Sequence, residues 1–301
     1  VKIALVGLGK MGSQMAVRFI KHKHEVIGFD AEQSILQVAE QAGVHTAHSR
    51  DEIVTWFGAE PAIVWLMIPA GVVPAELDKW LKVLPEGSVI IDGGNSDFRQ
   101  TIGHAERAQL HSVHFVDVGT SGGIMGLENG FSLMIGGNAD IVKTLEPLFL
   151  SLARPHGAYQ HFGPSGAGHY IKMAHNAIEY GMMESLAEGY HLLHDGPFKD
   201  LDLAGVAQIW QHGSVIDSKL NSLVAVALHE NPKLNGVDGY VAESGEARWA
   251  LEVAKDQNVP MPAIQSALDV RVASEGGTTN FATKILAELR NKFGGHTINK
   301  G

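Results

Sequence analysis

Cysteine is absent from the 301 residues, which excludes disulfides, thiolate catalysis and any cysteine-ligated metal. Basic residues are scarce beside acidic ones: 23 Lys and Arg face 33 Asp and Glu, for a formal net charge of −10. That field disfavours nucleic acid and anionic membranes as partners, and an anionic metabolite would need its own local cationic pocket. Long apolar runs are missing as well. No stretch approaches the roughly 18 residues of a membrane span. No basic leader with an apolar run and a small-residue cleavage site is seen, so a cytoplasmic protein is expected. Nor is a metal expected. The 16 histidines include His111/His114 and His191/His194, each spaced three apart, but neither pair has a third ligand at metal-site spacing.

What is there is apolar content, 45% of the chain, enough at this length for a large core and two domains. Lys2-Ile3-Ala4-Leu5-Val6 reads as a short buried strand that runs into Gly7-Leu8-Gly9-Lys10-Met11-Gly12. This is G-x-G-x-x-G at a strand-to-helix turn. The first glycine permits the tight turn, the second lets a pyrophosphate approach the backbone, and the third lets helix and strand pack closely. The N–H groups opening the next helix, placed at residues 13–21, would face the phosphates. A second strand, Glu25-Val26-Ile27-Gly28-Phe29-Asp30, ends in an acid at the expected distance. A carboxylate there accepts from a ribose 2′-OH and repels a 2′-phosphate, which favours NAD over NADP.

Further apolar runs at residues 62–68, 88–92, 115–118 and 131–135 predict strands, with helical periodicity between several of them at 33–41 and 72–81. The alternation predicts an α/β N-terminal domain, a Rossmann-type doubly wound sheet, over residues 1–163. Ligands of such sheets collect at the carboxyl ends of the strands. Segments following those ends include Pro69-Ala70-Gly71, Gly93-Gly94-Asn95-Ser96-Asp97 and Gly119-Thr120-Ser121-Gly122-Gly123. Met67, Ile68, Pro69 and Asn95 are therefore expected to join the glycine loop in holding the cofactor. After residue 163 helical periodicity replaces strand runs, predicting an all-α C-terminal domain over 164–301 that supplies substrate contacts and a subunit interface. One long helix is predicted over 168–193, and the tail from Phe293 onward is read as extended.

On that long helix Lys172, His175, Asn176 and Glu179 fall on one stripe. The spacing can hold a base, two hydrogen-bonding groups and an acid in line along a small molecule.

Together, the glycine loop, Gly93-Gly94-Asn95-Ser96, Ser121-Gly122-Gly123, residues 172–181 and the tail Arg290-Asn291-Lys292-Phe293-Gly294-Gly295-His296 resemble the decarboxylating 6-phosphogluconate dehydrogenase family. The resemblance runs over essentially the whole chain and is to the short, NAD-preferring bacterial form, within the 3-hydroxyacid dehydrogenase superfamily. It implies NAD-dependent oxidation and decarboxylation of 6-phosphogluconate to ribulose 5-phosphate in the pentose phosphate pathway, without a metal. Lys172 resembles the base that takes the 3-hydroxyl proton, a role that requires the neutral amine, and Glu179 the acid that protonates the enediol. Asn95, Ser121, Gly122, Gly123, His175, Asn176 and Tyr180 resemble residues that hold the sugar acid. Arg290 and His296 resemble a tail pair that reaches the substrate phosphate, often in a neighbouring subunit's site, which implies a homo-oligomer, dimer or tetramer. One departure stands out. In the segment from Trp210 to Lys219, Asp217 occupies a position where the resemblance leads one to expect a phosphate-binding arginine. The alternatives are a non-decarboxylating 3-hydroxyacid dehydrogenase, a dehydrogenase for an unphosphorylated sugar acid, or a non-catalytic NAD-binding sensor or scaffold.

Overall fold

The computed structural model describes residues 1–299, and the last two residues of the expected second domain lie outside them. Two compact units divide the chain between Lys172 and Met173. In the first, β1 (Lys2–Val6), β2 (Glu25–Phe29), β3 (His45–Thr46), β4 (Ile63–Leu66), β5 (Val89–Asp92), β6 (His114–Ser121), β7 (Ser132–Gly136) and β8 (Tyr159–Gly163) form one sheet. Its order is β3-β2-β1-β4-β5-β6-β7-β8. Every pairing is parallel except β6 with β7, where Val118 faces Ile135 in an antiparallel register. The reversal of order on either side of β1 is the doubly wound arrangement.

Burial on both faces explains the near-continuous apolar strands. Ile3 and Leu5 of β1 join one cluster with Met15 and Phe19 of α1 (Lys10–Lys21) and Leu36 of α2 (Gln33–Gln41). Ala4 and Val6 join the other. That second cluster contains Ile53 of α3 (Arg50–Phe57), Leu77 and Trp80 of α4 (Val73–Trp80) and Ala108 of α5 (Phe98–Leu110). Then come α6 (Gly126–Asn129), α7 (Ala139–Thr144) and α8 (Glu146–Ala153). The last of these adds Leu148, Phe149 and Leu152 to the first cluster.

The long helix, α9 (Ala167–Asp195), follows β8. Texture changes at residue 163, where the sheet ends, but the units part further on because the opening turns of α9 pack against the sheet. The second unit continues with α10 (Leu203–Trp210), α11 (Lys219–Glu230), α12 (Glu246–Asp256), α13 (Pro262–Glu275) and α14 (Phe281–Gly294). Met183, Ala187 and Tyr190 of α9, spaced as one face of a helix, meet Ala207, Val224, Leu228, Leu286 and Leu289 in its core. No described helix is long and apolar enough to cross a membrane.

Two expectations need correction. α1 begins at Lys10 and not Ser13, because Gly9 is itself the N-cap. The tail is helical through Gly294, where Gly295 in the left-handed conformation ends α14. Ile298 beyond it packs against the core of the second unit.

Candidate active site

At the carboxyl end of β1 the three glycines of the loop differ in what a side chain would meet. Gly7 has φ of +89° and its Cβ would overlap the carbonyl of Met67; a Cβ on Gly12 would overlap the carbonyl of Gly7. Around Gly9 a Cβ would meet nothing within 4 Å, so the backbone there faces open space. The N-terminus of α1 has no side-chain cap and no acid in its first turn. An uncapped helix start with positive dipole and outward N–H groups suits a phosphate, and Gly9, Lys10, Met11 and Gly12 would carry it. Leu8 donates its N–H to Asp30 Oδ2 at 2.7 Å, and Glu32 donates to Oδ1 at 2.9 Å. The carboxylate is thereby fixed at the end of β2, beside the glycine turn. Met67 continues β4 by donating to the carbonyl of Val6, Ile68 lies against Gly7, and Pro69 caps a short turn of helix at Ala70–Val72. These residues fit a dinucleotide.

The loop after β5 is organised by buried Asp92, whose Oδ1 accepts from Gly94 N (3.1 Å) and Oδ2 from Ser96 Oγ (2.7 Å). Asn95 is held between those two bonds. Ser121 ends β6, and Gly122 and Gly123 turn the chain at φ of +139° and +55°. Both are conformations an L side chain disfavours.

Lys172 is placed from below. Asp117, fully buried in β6, accepts from Gly166 N at 2.7 Å and His169 N at 2.9 Å. The carboxylate thereby caps the start of α9 and complements its dipole. Gly168 lies so close to β6 and β7 that a Cβ would overlap the carbonyl of Met134, and a Cβ on Gly119 would overlap the Lys172 stem. Two glycines and one aspartate thus seat the helix, and Lys172 is left 7% exposed. Asp117 went unnoticed in the sequence; its signal is a lone acid inside the apolar run Phe115-Val116-Asp117-Val118.

In the second unit α9 carries His175, Asn176, Glu179 and Tyr180. His175 Nδ1 is 3.0 Å from Asn176 Oδ1 and 3.8 Å from Glu179 Oε2. Tyr180 is buried, with its hydroxyl 3.2 Å from Ser244 Oγ and accepting from Ser244 N. Its ring bears a cation that sequence reasoning missed. The Arg271 guanidinium of α13 lies 3.2 Å from the ring centroid, with Nη2 3.7 Å from Met183 Sδ, and the residue is 3% exposed. Burial pulls its pKa below the ordinary arginine value and Arg290 adds repulsion, while Tyr180, Glu179 and Glu246 oppose both. An aromatic face attracts such a charge through its ring quadrupole. The signal was an arginine amid Ala267-Leu268-Asp269-Val270-Arg271-Val272-Ala273, on the apolar side of a helix.

Arg290, buried in α14, donates Nη1 to the carbonyl of Ala242 at 2.6 Å. His296 follows the Gly295 cap, its carbonyl accepting from Asn291 Nδ2 at 2.8 Å and its ring edge-on to Phe293. Asp217 lies exposed in the loop between α10 and α11, accepting from Gln211 at 3.4 Å. His191 and His194 both bond Asp195. Among the described residues no group of three or more acidic or histidine side chains is arranged to hold a metal.

Two family models match the chain. The NAD binding domain of 6-phosphogluconate dehydrogenase covers residues 2–163, and the 6-phosphogluconate dehydrogenase C-terminal domain covers residues 168–298. A putative 6-phosphogluconate dehydrogenase of Bacillus subtilis is 38% identical over 299 residues, 99% of each chain. The NAD(+)-dependent, decarboxylating 6-phosphogluconate dehydrogenase of Haloferax volcanii is also 38% identical, over 99% of this chain and 98% of its own. Of solved structures, Plasmodium falciparum 6-phosphogluconate dehydrogenase aligns with a TM-score of 0.78 at 23% identity, covering 97% of this chain and 64% of that one. Mycobacterium tuberculosis 3-hydroxyisobutyrate dehydrogenase aligns at 0.74 and 22% identity, covering 95% and 98%. These two structures share the fold.

Proposed function

The chain belongs to the 6-phosphogluconate dehydrogenase family, and from that premise we propose that it oxidises and decarboxylates 6-phosphogluconate to ribulose 5-phosphate and CO2 with NAD. The observation that carries the reading is the stripe of α9, where Lys172 is buried and seated by Gly119 and Asp117, with Glu179 two turns along the same face.

A nicotinamide held by the glycine loop would supply the hydride acceptor for C3 of the substrate. Lys172 accepts the proton of the C3 hydroxyl and, once protonated, donates a hydrogen bond to the C3 ketone. That bond favours loss of CO2 by drawing the electrons of the breaking C–C bond into the ketone, giving an enediol. Glu179 supplies the proton to the carbon that lost CO2. His175 and Asn176 lie between the two on the stripe and, by the resemblance, hold hydroxyls of the sugar acid; Asn95, Ser121, Gly122 and Gly123 at the strand ends of the first unit resemble further residues that hold it.

Asp30 supports NAD over NADP, because its carboxylate is fixed by Leu8 and Glu32 where a 2′-phosphate would bring a second negative charge. Buried Arg271 and nearby Arg290 support a phosphorylated substrate, since two clustered cations suit a dianion. Asp217, exposed and bonded to Gln211, then offers no reason to prefer an unphosphorylated sugar acid. His296 and a homo-oligomeric assembly belong to the same reading.

The test is a pair of variants. Lys172→Met is expected to lose turnover while its NAD affinity stays within about twofold, as the base touches substrate and not the adenine half. Glu179→Gln is expected to form NADH in a first turnover and then stall before product. Wild-type steady-state rates in either variant would remove that residue from the mechanism.

A further inference from the structure

The helix whose N-terminus suits the pyrophosphate also grips the loop that comes after Ser121-Gly122-Gly123, by side chains that the proposed mechanism leaves unused. Gln14, half-buried on α1, donates Nε2 to the carbonyl of Ile124 at 2.9 Å, and its Oε1 accepts from Leu127 N at 2.9 Å. A primary amide thus closes both a donor and an acceptor on one short stretch of backbone. One turn on, buried Arg18 donates Nη1 to the carbonyl of Leu127 at 2.8 Å and to that of Gly126 at 3.4 Å. Its other nitrogens reach the carbonyls of Ser151 and Arg154. Arg18 anchors the far end of the segment to α8 and to the Arg154 carbonyl at its C-terminus, and is structural. Both side-chain hydrogen bonds of Gln14, by contrast, go to this loop. The loop needs such a hold: Gly122, Gly123 and Gly130 all have positive φ, and Gly126 lies against the Phe131 ring so closely that a Cβ would overlap it. A glycine-rich segment loses much conformational entropy on ordering.

We propose that Gln14 is a positioning residue for the substrate loop, and that through it dinucleotide binding at the start of α1 is coupled to sugar-acid binding at Ser121-Gly122-Gly123. The coupling is physical: Gln14 lies one turn beyond Lys10 at the head of α1, so a ligand that fixes the first turn also fixes the amide that clamps residues 124–127. Such coupling is reciprocal, with each ligand raising the affinity of the other by the same factor. The inference rests on the reading that Ser121-Gly122-Gly123 contacts the substrate.

The experiment uses NADH, which forms a non-reacting ternary complex with 6-phosphogluconate, and reads its Kd by fluorescence with and without saturating 6-phosphogluconate. In the wild-type protein, 6-phosphogluconate is expected to tighten NADH by at least about fivefold, the lower end of typical coupling. In Gln14→Met, which keeps the length of the side chain and removes both hydrogen bonds, the Kd of NADH alone should stay within about twofold and the coupling factor should fall towards one. Gln14→Glu, which retains the acceptor for Leu127 N and loses the donor to Ile124, should lie between. Amide exchange supplies an arm that needs no substrate: NADH should slow exchange over residues 124–127 in wild type and fail to do so in Gln14→Met. A wild-type coupling factor preserved in Gln14→Met, or exchange protection unchanged by the substitution, overturns the proposal. Wild-type protein that binds no 6-phosphogluconate overturns the substrate reading, and the exchange arm then decides the loop coupling by itself.

Discussion

Replacing Glu184 with glutamine should stabilise this protein, and do so only at neutral and alkaline pH. Glu184 lies on α9, 6% exposed, one turn beyond Tyr180 and beside Met183. Burial pushes its pKa up to about 7, Glu188 one turn further adds repulsion, and Arg271 opposes both. The unfolded chain releases this proton near the ordinary value of 4.5 and the folded protein near 7. Between those values the native state holds more protons than the unfolded state, so stability falls as pH rises through the window. The penalty is absent well below the lower value and complete above the upper one. A difference of about 2.5 pKa units corresponds to about 3 kcal/mol at about pH 8, shrinking to under about 1 kcal/mol at about pH 5. Glutamine matches the protonated acid in shape and hydrogen-bonding groups, so the variant should recover most of that difference, a Tm gain of about 5 °C at the higher pH. Calorimetry of both proteins at the two pH values reads it. An equal shift at both pH values, or none at about pH 8, would refute the assignment of a neutral, buried Glu184.

Asp30→Asn is expected to narrow an NAD preference of at least about tenfold in kcat/KM, about 1.4 kcal/mol, by weakening NAD and relieving the repulsion of NADP; a wild-type preference for NADP would place the carboxylate away from the ribose. Arg271→Met should raise KM for 6-phosphogluconate by about 10- to 100-fold, the range of one charge-assisted hydrogen bond, and that for gluconate by less than about threefold. Asp217→Arg should leave the ratio of the two substrates within about twofold, and a large gain for the phosphorylated one would bring that loop to the phosphate.

The parts of the fold that were legible are those whose physics is local. β1, β2, β4 and β5 are buried on both faces and therefore read as apolar runs, and the glycine loop announces itself because backbone overlap at Gly7 and Gly12 forbids any side chain. β3 has only two residues, and β8, Tyr-Gln-His-Phe-Gly, is an edge strand of alternating exposure. Neither carries an apolar signal. The helix stripe from Lys172 to Glu179 was visible from spacing alone, whereas its seat was not. Asp117 and Gly119 matter through contacts with residues some fifty positions away in sequence, which no local window contains. Arg271 shows the same limit. A buried arginine looks in sequence like any other on a helix, and only the packing of α13 against Tyr180 reveals that its charge is sheltered over an aromatic face. The Asp217 position drew attention by resemblance, and its exposure could be read only from the folded chain.

The most direct test of the central claim is the stoichiometry of products formed from 6-phosphogluconate and NAD by the wild-type protein, with NADH followed by absorbance and CO2 trapped from the same reaction. The account predicts equal amounts of the two throughout, since in the proposed mechanism the ketone polarised by Lys172 is the electron sink for decarboxylation. NADH formed without matching CO2 would contradict it and leave a simple 3-hydroxyacid dehydrogenase.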